Sequence, residues 1–371
     1  MRCNRRALLL AAAGAVLTAC TTEPTPIGQP TLAPTETHRR PTGPSDPAAT
    51  DEARKLLAWL TALPQRDALR VVSGQQITSD ARQDYGRLFD GMGQKFGRRP
   101  AMVGVSFDGY WSQETVPVLV EHWRAGGLVT MDMHRPNPFL PTVDPESYRI
   151  ASAAAKPDLR ALLADAQPSP ARDRWRADLQ QLGDVMQELS EAGVVVIFRP
   201  LHEANGLWFW WGHDQKTQQS ASVELYRDIY AYLTGTRKLH NVLWAYSPGR
   251  PWDAPRMKYY PGDDVIDIVG PTVYENVLRF GVDGQPGDIS DLTSTQRPIG
   301  LLETGSAEPY DGSWDAAGII ERIRGQYPQL TMFNCWHGWQ GVRMSLVDVS
   351  RVDQLMNDPW VISLENIART R

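Results

Sequence analysis

Residues 194 to 212 read VVVIFRPLHEANGLWFWWG. The opening run Val194-Val195-Val196-Ile197 is β-branched, as a strand buried on both faces requires, and the residues after it are polar and then aromatic. Short apolar runs of the same kind recur along the chain, separated by longer amphipathic stretches, the pattern of a parallel sheet with helical crossovers. Eight can be counted: VVSGQQ from Val71, MVGVSFD from Met102, LVTMDMH from Leu128, VVVIFRPLHE from Val194, VLWAYSP from Val242, VIDIVGPTVYE from Val265, PIGLLETG from Pro298 and LTMFNCWHGW from Leu330. Helices are expected over Ala81 to Phe96, Thr115 to Arg124, Arg174 to Ala192, Ser220 to Thr236 and Trp314 to Gln326. The sixth connection, 276 to 297, holds Gly281, Gly284, Gly287 and Pro286 and predicts a long loop. Eight β/α units predict one α/β domain, a single (β/α)8 TIM barrel.

In that architecture the working residues stand at the C-terminal ends of the strands. The polar residues of this chain follow the rule. Gln75 and Gln76, Asp108, Asp132 and His134, His202 and Glu203, Tyr274 and Glu275, Glu303, and Trp336 with His337 all close their runs. A doubly wound sheet would instead show a Gly-rich phosphate loop after its first strand, and SGQQITSD is not one.

Glu203 is followed at once by Trp208, Trp210 and Trp211. A carboxylic acid beside flat aromatic faces suits sugar chemistry: a glycosidic oxygen leaves only when protonated, and an indole holds the apolar face of a pyranose ring. Trp210 and Trp211 are assigned mainly to packing, since adjacent side chains cannot both face a groove. His202-Glu203 is not the start of a zinc helix, because the second histidine of HExxH would fall at Gly206. A retaining glycosidase needs a second carboxyl about 5 to 5.5 Å from the first, and Glu303 in LLETG, at the end of the seventh run, supplies it. No metal and no cofactor is called for.

The composition fits a soluble globular chain: 371 residues, 42% hydrophobic and 22% charged. A net charge of −5 leaves no basic footprint for nucleic acid. The start, MRCNRRALLLAAAGAVLTAC, sets Arg2, Arg5 and Arg6 ahead of an apolar stretch from Ala7 to Leu17 that is too short to span a bilayer. It reads as an export signal over residues 1–19, and LTAC resembles a bacterial lipobox that would place a lipid on Cys20. Arg5-Arg6 leaves Sec and twin-arginine export both open. Loss of Cys3 and acylation of Cys20 would leave Cys335 alone, a buried small hydrophobe rather than a disulfide partner. Residues 20–50, rich in Thr and Pro, are expected to be a linker, with the catalytic domain over 51–371. The chain is thus expected to be exported, membrane-anchored through its lipid alone, and monomeric.

From Val71 to the last strand the chain resembles glycoside hydrolase family 26, typified by β-mannanases. RPLHEANGLWFWWG is similar to the family's acid/base motif and LLETG to its nucleophile motif. The resemblance implies a (β/α)8 barrel and a retaining double displacement, with Glu203 as acid/base and Glu303 as nucleophile. It further implies that His202 orients the nucleophile, that His134 contacts sugar, that Trp208 is the stacking platform next to the scissile bond, and that Tyr274 touches the nucleophile. Trp336 is expected on the cleft floor, Asp108 against sugar hydroxyls or bracing a loop, and Trp111 and Trp252 in loops that could form outer subsites.

Two positions depart from the family pattern. Members commonly carry an Asp two residues before the sixth-strand tyrosine, where this chain has Thr272, and an Arg after the eighth-strand tryptophan, where it has His337. Both touch subsites rather than the displacement chemistry. The expected substrate is a β-linked polysaccharide, foremost β-1,4-mannan cleaved internally. Mixed-linkage β-glucan and β-1,3-xylan stay open within the family, and a non-catalytic carbohydrate-binding lipoprotein is the alternative of another class. Since Glu203 must start protonated and Glu303 ionised, their environments are expected to push the two apart.

Overall fold

The structure is a computed structural model that describes residues 43–142, 144–150, 157–213, 221–251, 254–280, 289–338 and 341–370. The export signal, Cys20, the linker up to residue 42 and Trp252 lie outside the described residues. Strands β1 (Val71–Gln76), β2 (Met102–Asp108), β3 (Leu128–His134), β4 (Val196–Arg199) and β5 (Val242–Tyr246) pair in sequence order, all parallel. The sixth barrel strand comes in two pieces, β6 (Ile268–Val269) and β7 (Thr272–Tyr274), both paired to β8 (Ile299–Gly305). Then β9 (Leu330–Cys335) pairs with β8 on one side and β1 on the other, which closes the barrel at eight positions. A short β10 (Val361–Ile362), absent from the expectation, pairs with Val71 and Val72 at the start of β1, ahead of the stretch that β2 takes from Gly74.

The expected helices are present, the first two at the expected bounds. The first runs unbroken through α2 (Ala81–Tyr85), a π turn and α3 (Gly91–Phe96), and α4 covers Thr115–Arg124. The longest, α5, begins at Pro170, earlier than its apolar period suggests, because Ser169 accepts from Arg172 N and proline suits the first turn. After α6 (Ala221–Tyr230), the described part of the sixth connection holds α7 (Ser290–Thr293), a single turn. The outer ring continues with α8 (Ala317–Gln326) and α9 (Val352–Met356), while the short α10 (Leu364–Ile367) packs with residues at the strand starts.

One helix went unread in the sequence, and it plugs the barrel. In α1 (Asp51–Ala62) the Thr50 side chain accepts from Ala53 N, Asp51 and Glu52 lie in the first turn where the helix dipole favours acids, and the apolar face Ala53, Leu56, Leu57, Leu60 repeats at helical spacing. That face packs in one cluster with the interior residues Val72, Leu128, Ile197, Leu243 and Met332. The fold therefore starts ahead of the Asp51 boundary. Ser45 N donates to Asp267, Asp46 pairs with His240 at 2.7 Å and Arg297 donates to Gly43 O, so residues 43–50 strap the strand starts. A Thr/Pro-rich composition did not reveal that this short piece has polar partners on the domain.

Candidate active site

Side chains on a parallel strand alternate between the helix side and the barrel interior. In β4, Phe198 joins the outer apolar cluster while Ile197 joins the inner one, so Arg199 points inward. In β8 the alternation breaks: Leu301 pairs with Phe333 and Thr304 with Cys335, which leaves one extra residue on β8. Leu302 packs in the inner cluster and Glu303 also bonds to interior partners, so the bulge turns two consecutive side chains inward. Without it Glu303 would face the helices.

Glu203 reaches the same space by another route. β4 stops at Arg199, and the chain turns back with Leu201 at φ 49° and Glu203 at φ 54°. Both lie in the left-handed region that non-glycine residues seldom occupy, and the turn is held by Glu203 N donating to Ser247 O at 2.7 Å. Glu203 and Glu303 line one cleft of about 730 Å³ at the C-terminal ends of the strands. Its wall also holds five of the residues expected from the sequence, His134, Asp108, Trp208, Tyr274 and Trp336. Trp208 is 37% exposed, and its indole N–H donates to Glu203 Oε2.

The two carboxyls meet different surroundings. Glu303 accepts from Arg199 Nη2 at 2.5 Å and from Tyr274 OH at 2.7 Å. Glu203 has no cation paired to it among the described residues; burial, and then the charge of Glu303, raise its carboxyl to about 7, against hydrogen bonds from Trp208 and Thr272. At Thr272 the neighbour of Glu203 is thus an uncharged hydroxyl. Burial and Glu303 also push the Tyr274 phenol well up, which keeps it a neutral donor. Burial takes Asp108 to about 6; it accepts from Tyr110 N at the cleft edge, so it braces that loop.

Below the cleft lies a polar layer. Asp132 accepts from four donors: Ser106 at 2.6 Å, His134 Nδ1 at 2.7 Å, Gln76 at 2.8 Å and Arg199 Nη2 at 2.9 Å. Asn334 Nδ2 donates to Gln76 Oε1 at 2.8 Å, which extends the layer to β9. Burial would raise the Asp132 carboxyl, but Arg199 and His134 outweigh it and hold the group far below the carboxylate range. Gly104 makes room for this layer, since a Cβ there would lie 2.1 Å from Gln76 Oε1.

Some expectations need correction. His202 does not line the cleft and does not bond Glu303. It is buried behind the wall against Phe209 and Trp211, with Nε2 3.1 Å from His134 Nε2, because the left-handed turn sends Glu203 outward and its neighbour inward. Arg199 and Tyr274 hold Glu303 instead. Trp210 and Trp211, by contrast, are packing residues as assigned: both are buried, donating to Arg135 O and His202 O. Trp111 packs on Phe107 away from the cleft lining. Sequence reasoning passed over Arg199 altogether; the available signal was a cation ending an apolar strand, where only carboxylates could balance it.

Asp132, His134 and His202 bring ligand-type atoms within 4.8 Å of one another. These atoms are engaged with each other, and the guanidinium on Asp132 opposes a second cation there. The trio fits a hydrogen-bonded relay better than a metal site.

Comparison with known proteins agrees with this geometry. Residues 45–366 match the profile described as Glycosyl hydrolase family 26. A mannan endo-1,4-beta-mannosidase of Bacillus subtilis is 33% identical over 314 residues, 79% of this chain and 82% of its own length. Another, from Bacillus subtilis strain 168, is 30% identical over 351 residues, 89% of this chain and 90% of its own. The solved structure of a Bacillus subtilis mannanase superposes with a TM-score of 0.74 at 26% identity, covering 87% of this chain and 95% of that one. With the barrel, the paired carboxyls and a profile match over most of its length, the chain belongs to glycosyl hydrolase family 26.

Proposed function

We propose that this chain is an endo-β-1,4-mannanase that hydrolyses with retention by double displacement, exported and held at the membrane by a lipid on Cys20. The observation that carries the reading is the unequal treatment of two carboxyls in one cleft: Glu203 raised to about 7 and Glu303 bonded to a buried guanidinium. Glu203 is the acid that gives its proton to the glycosidic oxygen while Glu303 attacks the anomeric carbon. Glu203, now a carboxylate, then takes a proton from the water that cleaves the glycosyl ester, and both groups return to their starting states. Trp208 serves both the sugar and the Glu203 carboxyl, since it lines the cleft and its N–H reaches the acid. His134, Tyr274 and Trp336 complete the sugar contacts, and Asp108 acts through the Tyr110 loop.

The choice of mannan follows the names of relatives at 33% and 30% identity, and the neutral Thr272 is the local feature that tests it. The experiment is product analysis on galactomannan, linear mannan, mixed-linkage β-glucan and β-1,3-xylan with the full-length protein. Internal manno-oligosaccharides support the reading. Release from another polymer alone moves the specificity and keeps the mechanism, and release from none favours a carbohydrate-binding lipoprotein. Labelling with radioactive palmitate, abolished by Cys20→Ala, tests the anchor.

A further inference from the structure

Arg199 is fully buried and serves two carboxylates with one nitrogen: its Nη2 lies 2.9 Å from Asp132 Oδ2 and 2.5 Å from Glu303 Oε2. Its Nε and Nη1 have no partner among the described residues. The three groups together carry one net negative charge. In the covalent step of the proposed reaction, Glu303 forms a bond to the anomeric carbon, the bond to the leaving oxygen breaks, and Glu203 supplies that oxygen's proton. Glu303 is then an ester and has lost its charge. A guanidinium in a dry interior cannot be left without an anion at small cost. Asp132 is the only other carboxylate bonded to Arg199 among the described residues, and its donors Ser106, His134 and Gln76 fix it in the ionised, acceptor-only form.

We propose that Asp132 is a positioning residue for the covalent step: it keeps Arg199 neutralised while Glu303 is esterified, so that Glu303 can give up its charge. Asp132 does not line the cleft and lies beneath it. With it present, Arg199 orients Glu303 in the free enzyme and has a second anion to rest on in the glycosyl-enzyme. With it neutralised, Arg199 has Glu303 alone, which strengthens the ground-state pair and strands a buried cation once the ester forms.

This proposal rests on the double-displacement reading, and trapping the intermediate separates the two. The probe is the 2,4-dinitrophenyl glycoside of 2-deoxy-2-fluoro-β-mannobiose, whose leaving group needs no proton, followed by intact mass and peptide mapping. The wild type is expected to gain the mass of one fluoromannobiosyl unit at Glu303, with dinitrophenolate released. Asp132→Asn is expected to be labelled on the order of 100-fold more slowly, while mannohexaose binding by calorimetry stays within about threefold. Asp132→Glu, which keeps the charge, recovers part of the rate. Should Asp132→Asn fail to fold, Arg199→Gln and the double variant Arg199→Gln/Asp132→Asn answer the same question. If Asp132 acts through Arg199, the two are labelled equally slowly. Equal labelling of Asp132→Asn and wild type, or a further loss in the double variant, overturns the proposal. No label on Glu303 of the wild type overturns double displacement and this proposal with it.

Discussion

The interior of the barrel is built differently at its two ends. Near the strand starts it is filled by Val72, Leu128, Ile197, Leu243 and Met332, closed below by the apolar face of α1. Near the strand ends the same strands present Gln76, Asp132, Arg199, Asn334 and Glu303, bonded in series. The lower layer is held by area removed from water, which is additive and non-directional. The upper layer is held by aimed donors in a low dielectric, where one missing partner leaves a buried group unsatisfied. Packing and chemistry thus occupy separate heights on the barrel, and a change in the lower layer should leave the chemistry almost untouched.

The largest effect is expected in the upper layer. Glu303→Ala should lower kcat by about 10⁴-fold or more, with a melting temperature near that of the wild type, read by reducing-sugar release and thermal unfolding. Next, Glu203→Ala should cost about 10² to 10⁴-fold on mannan yet little in glycosylation by a dinitrophenyl mannobioside, whose leaving group needs no proton. In the wild type the acid must be protonated, so kcat/KM should fall as pH rises through about 7. A limb that does not move or vanish in Glu203 variants would assign it to another group.

A break in the lower layer should read the opposite way. Leu60→Ala opens a cavity under the strand starts and should cost about 2 to 5 kcal/mol in denaturant unfolding, with turnover per folded molecule unchanged. Loss of turnover in proportion would mean the two layers are mechanically coupled. The smallest effect is the sharpest probe of the cleft. Trp208→Phe keeps an aromatic face but removes the N–H that favours the Glu203 carboxylate, so the alkaline limb should shift to higher pH by less than one unit. A shift to lower pH would break that assignment.

The eight strands were legible because each is a short apolar run bounded by turn residues, and the strand-end rule brought Glu203, Glu303, His134 and Tyr274 to one cleft. Which face each residue takes was not legible. Strands buried on both sides show no polar alternation, so nothing in IFRPLHE tells that Phe198 packs outward and Arg199 inward. The β8 bulge depends on register with β9, which no local pattern records. The left-handed Glu203 is likewise set by Ser247, a residue on a different loop, and so His202 was placed on the wrong side of the wall.

The strap of residues 43–50 decides where the chain can be cut. A protein shortened to Asp51, the boundary that composition suggests, loses the Thr50 cap of α1 together with Asp46, the partner of His240. It also strips the Ser45 N–H from Asp267, a wholly buried carboxylate already raised by burial, and leaves Trp244 N as its one remaining backbone donor among the described residues. Shortening to Gly43 keeps every one of these bonds, so eight residues of apparent linker separate a fragment that should express as a sound enzyme from one missing part of its own foundation.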